Sequence, residues 1–112
     1  MTNKLLSATS INKDNVVNAS GESLGEIKDL MVDPEDGRVV YAVLSFGGIL
    51  GLGDKYFAVP FERMTADREN KRMVLNVDKK RLESAPGFAK DNWPDFADPT
   101  IRQTVNDYYM PA

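Results

Sequence analysis

The sequence predicts a small, mainly β domain, and three observations carry that reading. Two β-rich segments, residues 26–32 and 38–46, flank a run of five turn residues, Asp33-Pro34-Glu35-Asp36-Gly37. Proline supplies the φ of a type I turn's second position, and Gly37 suits the left-handed residue that closes such a loop. Glycine, proline and polar runs then cut the following residues into strand-length pieces. Finally, 112 residues with 42% hydrophobic content can bury one core without disulfides or metals.

The elements follow in order. Residues 1–13 are polar around Leu5-Leu6 and read as a loose arm or a first edge strand. Asn15-Val16-Val17-Asn18 reads as a short strand, after which Gly21 and Gly25 bracket a turn. In residues 26–32, Leu30 and Val32 share a face by alternation, but Ile27 is out of step. A β-bulge near Lys28-Asp29 restores the register. Asp29, set between apolar neighbours, is expected to be a buried carboxylate whose accepted hydrogen bonds stabilise that bulge.

Residues 38–46 form the strongest strand. Val39, Tyr41 and Val43 point one way and Val40, Ala42, Leu44 and Phe46 the other. Apolar residues on both faces mean cover on both sides, from the C-terminal segment or from a second subunit. A glycine-rich connection over residues 47–54 leads to a strand at 55–60, which Pro60 ends or places at an edge. Phe61 to Thr65 continues after the bend. A polar turn at 67–71 precedes the strand 72–77, and Asp78 caps a short helical turn over 79–84. Asp33, Glu35, Arg38, Val40 and Val43 recur 34 residues later as Asp67, Glu69, Arg72, Val74 and Val77. Two copies are too few for a solenoid, and two similar hairpins in one barrel explain the echo better.

Composition changes beyond residue 85. Five of the ten aromatic residues, Phe88, Trp93, Phe96, Tyr108 and Tyr109, lie there. Asp98 reads as an N-cap with Pro99 at the first helical position. Ile101, Val105 and Tyr108 then give one apolar stripe on a helix near 99–109. Trp93, Phe96, Ile101, Val105 and Tyr108 are expected to pack on the barrel or on a partner subunit. The chain therefore divides into a β domain over 1–84, with its core at about 14–84, and an aromatic-rich extension over 85–112.

Chemistry is constrained by what is missing. No cysteine is present, which removes disulfides, thiolate metal sites and thiol nucleophiles. No histidine is present either, so the commonest general base and metal ligand is gone. No catalytic set, metal site or cofactor site is expected, and the protein reads as a non-enzyme. The 47–54 loop is not a phosphate loop, because Asp54 stands where such a loop needs its lysine and a strand follows in place of a helix. Pro34 and the early Gly37 likewise break the ligand spacing of a calcium loop.

A net charge of −3 does not favour nucleic acid, which demands clustered cations. The one cationic cluster, Lys71, Arg72, Lys79, Lys80 and Arg81, is interleaved with Asp67, Glu69, Asp78 and Glu83 and reads as a solvated face. With no stretch of about 18–20 apolar residues, no membrane span is expected, and the cytoplasm is the default location. Ile49, Leu50 and Leu52 are large apolar residues in a loop, where exposure is unfavourable unless something covers them. Together with Tyr41 and Val43 they form the candidate interface of a homodimer or of a contact with an unidentified protein partner.

Over residues 21–41 the pattern Gly-Glu-x-Leu-Gly-x-Ile-x-Asp-Leu-x-Val-Asp-Pro-x-x-Gly-Arg-Val-x-Tyr resembles the PRC-barrel family. Gly-Gly-x-x-Gly-x-Gly-Asp-Lys-x-x-Ala-Val-Pro-Phe over residues 47–61, and Val74-Leu75-Asn76-Val77-Asp78-Lys79 with Leu82, fit the same family. The tail over 86–109 is similar to the extension of stand-alone bacterial members. The resemblance implies a strongly bent antiparallel β-barrel and a protein-interaction or scaffold role, stress- or assembly-related. It also implies two alternatives: an accessory protein binding a small molecule or ion in electron or proton transfer, as in the photosynthetic reaction-centre H subunit, and a ribosome or RNA adaptor.

Overall fold

The computed structural model describes residues 7–11, 15–45, 55–67, 69–70, 72–89 and 92–109. Among the described residues, seven strands form one sheet: β1 (Asn15–Val17), β2 (Ser23–Asp33), β3 (Arg38–Ser45), β4 (Lys55–Pro60), β5 (Met64–Asp67), β6 (Arg72–Leu75) and β7 (Gly87–Ala89). Their order across the sheet is β5-β6-β1-β2-β3-β4-β7. The described residues also form the α-helices α1 (Ala8–Ile11), α2 (Lys79–Glu83) and α3 (Pro99–Tyr109). Of the expected arm or edge strand over 1–13, residues 7–11 are described, and there α1 forms a helical turn that buries Ile11.

The fold is mainly β, as expected, with a short C-terminal helix. Barrel closure is not completed by hydrogen bonds among the described strands, since β5 and β7 remain the two edges. The sheet is nonetheless strongly rolled. β4 and β5 lie five strand positions apart, which in a flat sheet is about 24 Å. Only a single 3-10 turn, Phe61–Arg63, joins them, and so short a link spans at most about 14 Å. Pro60 ends β4 and opens that turn with φ −55° and ψ 124°, the terminating role its missing N–H predicts. Pairing is antiparallel except between β1 and β6, which run parallel, so the sheet is mainly antiparallel.

Register explains why the β2–β3 hairpin is the organising element. Ile27 pairs with Leu44 and Asp29 with Val43, so Lys28 is the extra residue of a bulge. The bulge brings Ile27 onto the same face as Leu30, as the broken alternation predicts. It also turns Asp29 outward, and the expected burial of that carboxylate is corrected: Asp29 is exposed and accepts a hydrogen bond from the Leu30 amide, at 2.8 Å. A second irregularity between Met31 and Val32 leaves Val40 unpaired on β3. At the hairpin tip Gly37 has φ +75° and its amide donates to the Asp33 carbonyl at 2.8 Å. Gly25 has φ +129° but lies inside β2, beside the irregularity at Val16/Val17 in the β1–β2 pairing. It serves a bulge there, where a turn was expected.

The core lies between the inward faces of the rolled sheet. Val16, Leu24, Ile27, Ala42, Leu44, Phe57, Val59, Leu75 and Leu82 are all at most 2% exposed. β7 was not legible as a strand in the sequence, yet it pairs Gly87 with Phe57, Phe88 with Tyr56 and Ala89 with Lys55. A side chain at residue 87 would be crowded. A Cβ there would lie 2.8 Å from Lys55 Cε, 3.0 Å from Phe57 Cε1 and 3.0 Å from the Tyr56 carbonyl oxygen. The lysine can move, but the ring and the backbone cannot move far. Gly87→Val is therefore expected to destabilise the protein by about 1–3 kcal/mol, measured by urea unfolding, and to expose the β4 amides to hydrogen exchange.

Candidate functional site

The register puts Tyr41, Val43, Ala58, Tyr56 and Phe88 on the outer face of β3, β4 and β7. The tail covers that face with an interlocked set of rings. Phe96 lies 5.7 Å from Tyr41 and 5.8 Å from Phe88, and Trp93 lies 5.2 Å from Phe88 and 5.9 Å from Tyr56. Most of these pairs are edge-on, the arrangement aromatic quadrupoles favour. α3 follows, starting at Pro99 after Asp98, whose side chain accepts from the Thr100 amide at 2.9 Å. Its buried positions are Val105 and Tyr109, with Ile101 half-buried above them.

This arrangement corrects part of the interface expected from sequence. Tyr41 is 2% exposed and Val43 is 0% exposed within the single chain, so the tail leaves neither side chain available to a second subunit. Ile49, Leu50 and Leu52 lie outside the described residues. Among the expected tail contacts, Phe96, Val105 and Tyr108 join or pack against the core. Trp93 keeps 38% of its surface exposed while touching three rings. The stripe itself runs through Tyr109, one position beyond Tyr108.

Tyr108 has another task. Its ring lies 4.5 Å under the Arg81 guanidinium, its carbonyl accepts from Arg81 Nη2 at 2.6 Å, and its hydroxyl donates to the Arg81 carbonyl. These two hydrogen bonds tie α2 to α3 and draw Arg81 out of the cationic cluster. Arg72 is likewise committed, bonding Asp67 at 3.1 Å. The Asn70 side-chain amide, above all, and the Arg72 guanidinium hold the Asp67 carboxyl below its ordinary value of 3.8 against a partial loss of solvation. Lys71 lies outside the described residues, and Lys79 has a partner of its own. What remains of the cluster is a thin cationic surface, poor in the repeated phosphate contacts nucleic acid rewards.

Two hollows lie beside these elements. One, of about 370 Å³, lies between the hairpin and the tail, lined by Met31, Val32, Pro34, Val40, Tyr41 and Phe96 and edged by Asp33, Glu35 and Arg102. The other, of about 510 Å³, lies beside α2, where Arg63, Asn76, Asp78 and Tyr109 meet. The hydroxyls of Tyr41 and Tyr109 are both buried without a hydrogen-bond partner among the described residues. Burial, with the neighbouring Tyr108, pushes the Tyr109 phenol well above its ordinary value of 10.0, against a smaller opposing pull from Arg81. It remains a protonated donor. Among the described residues no group of three carboxylates is placed to hold a metal ion, and no helix is long and apolar enough to cross a membrane.

The family model described as PRC-barrel domain matches residues 4–82. The chain belongs to the PRC-barrel family. The match covers well over half of the sequence and takes in β1 to β6 and most of α2. It stops short of β7 and α3, so the aromatic cover over Tyr41 and Tyr56 is an addition to the PRC-barrel region. No curated protein matches the chain.

Proposed function

We propose that this chain is a non-catalytic, cytoplasmic docking module that acts as a homodimer, with Ile49, Leu50 and Leu52 in the subunit contact. The observation that carries the reading is membership of the PRC-barrel family over residues 4–82, a domain type that serves as a general interaction module. A chain without histidine or cysteine also has few means of acid–base, nucleophilic or metal catalysis near neutral pH. With the outer face of β3 and β4 already covered by the tail, the apolar run in residues 46–54 is the strongest remaining sequence signal for a contact.

Sedimentation velocity with light scattering tests this. The parent is expected to sediment as a dimer, and the double substitution Leu50→Asp, Leu52→Asp as a folded monomer, because two carboxylates would have to be desolvated in the contact. A parent that stays monomeric at every concentration and is indistinguishable from the variant sinks the proposal. So does a dimer that both substitutions leave intact.

A further inference from the structure

We propose that α3 is a releasable strap. It undocks as a unit while the sheet stays folded, and in doing so it uncovers the outer side of β4. The proposal concerns the tail alone and does not rest on self-association.

The two halves of the tail are held unequally. β7 is paired to β4 through Gly87, Phe88 and Ala89, and Trp93 and Phe96 interlock with Phe88 at 5.2 and 5.8 Å between ring centres. Of the 11 residues of α3, by contrast, only Val105 and Tyr109 are buried. Several of its side chains bond within the helix or its cap. Gln103 donates to Asp107 at 2.7 Å, the Thr104 hydroxyl donates to the Thr100 carbonyl at 2.9 Å, and Asp98 accepts from the Thr100 amide. These bonds travel with the helix and do not fasten it to the sheet.

Packing beneath the helix is incomplete. An apolar gap of about 110 Å³ lies between α3 and the sheet, bounded by Ala58, Pro86, Phe88, Phe96, Ile101 and Val105. Protein interiors leave few voids larger than a water molecule, and atoms lining such a space lose dispersion contacts on one side. The Tyr109 hydroxyl adds a second cost, since it is buried with no hydrogen-bond partner among the described residues. Undocking gives that hydroxyl to water and removes the penalty of leaving it unpaired. Both features weaken the closed form where α3 meets the domain.

The far end is fastened by Arg81 and Tyr108. The guanidinium lies 4.5 Å from the ring centre and donates to the Tyr108 carbonyl at 2.6 Å, and the Tyr108 hydroxyl donates to the Arg81 carbonyl. A cation at the last turn also satisfies a free carbonyl and complements the helix dipole. These bonds lie at the exposed surface, where water competes for every group in them. The near end of α3 leaves the ring cluster through exposed Ala97 and Asp98, a turn in which the Asp98 amide donates to the Asp95 carbonyl at 3.0 Å. A hinge in that turn lets α3 lift off Ala58 while Phe88 and Phe96 stay seated. Arg81 lies inside the matched residues 4–82 and Tyr108 outside them, so the clasp joins the family domain to its extension.

Amide hydrogen exchange of the full chain, read by mass spectrometry at several low urea concentrations, tests the strap. Residues 103–109 are expected to exchange about tenfold or more faster than β3. Their exchange should depend little on urea, because a local opening exposes little surface. Arg81→Gln should speed exchange of residues 103–109 by about tenfold and leave β3 unchanged. Tyr109→Phe should slow it several-fold, because the closed form no longer buries an unpaired hydroxyl. If α3 and β3 exchange together with one urea dependence, the helix leaves only when the whole protein unfolds, and the proposal is overturned. An α3 with no protection at all also overturns it, since there would be no closed form to release. So does an Arg81→Gln variant whose α3 exchanges like the parent's, or a Tyr109→Phe variant whose α3 exchanges as fast as the parent's or faster.

Discussion

Removing residues 86–112 is expected to leave a protein that aggregates or unfolds with little urea. The tail provides the edge strand β7, the rings of Phe88 and Phe96, and the buried side chains Val105 and Tyr109. Without them Tyr41, Val43, Tyr56 and Ala58, all at most 8% exposed, lose the segment that packs over their face. β4 also becomes an open edge, and an apolar edge strand is a template for aggregation. Truncating one buried aromatic costs about 3–5 kcal/mol, against about 5–15 kcal/mol for a whole small domain. Urea titration followed by circular dichroism reads the loss. A soluble truncated protein that unfolds at the parent's midpoint would show that the outer face of β3 and β4 tolerates water.

Phe57→Ala is expected to lower stability by about 3–5 kcal/mol, the largest effect of a single apolar truncation proposed for this protein. Phe57 is 1% exposed, pairs with Leu44 on one side and Gly87 on the other, and carries the Lys55 ammonium 5.3 Å from its ring centre. Its ring is thus a spacer between β3, β7 and the lysine stem, and no neighbouring glycine can fill the space it leaves. Chemical denaturation gives the number. A loss near that of an ordinary surface substitution would mean that β4 and β7 collapse onto the vacancy, and that the tail is seated less rigidly than its packing implies.

Local chemistry made some of this structure legible in the sequence. Asp-Pro-Glu-Asp-Gly announces the hairpin, Pro60 marks the strand end, and Asp98-Pro99 marks the start of α3, each through a backbone rule that acts within a few residues. The bulge at Lys28 was readable because Ile27 breaks a period of two. Its consequence for Asp29 was not, since a bulge changes which side of the strand faces water. Gly87-Phe88-Ala89 is too short to read as a strand, and only its partner β4 makes it one. The helix stripe was legible through Val105 and Tyr108, which pack as expected, but the deeper burial of the adjacent Tyr109 was not. The groove at Tyr41 and Arg102 was invisible for a plainer reason: its walls come from segments some sixty residues apart in the chain.

The parallel pairing of β1 with β6 has a kinetic side. Asn15, Val16 and Val17 hydrogen-bond on one edge to β2 but on the other to Arg72, Met73 and Val74. On a ribosome the β1–β2–β3 meander can assemble as soon as the hairpin emerges. Its β1 edge then waits, with Val16 and Val17 uncovered, until most of the chain has been made. Contacts of such sequence separation slow folding, and an unsatisfied strand edge on a nascent chain is where misassembly begins. Synthesis speed between Gly37 and Arg72 therefore governs how long this protein is vulnerable, and slowing translation there should raise the fraction captured by chaperones.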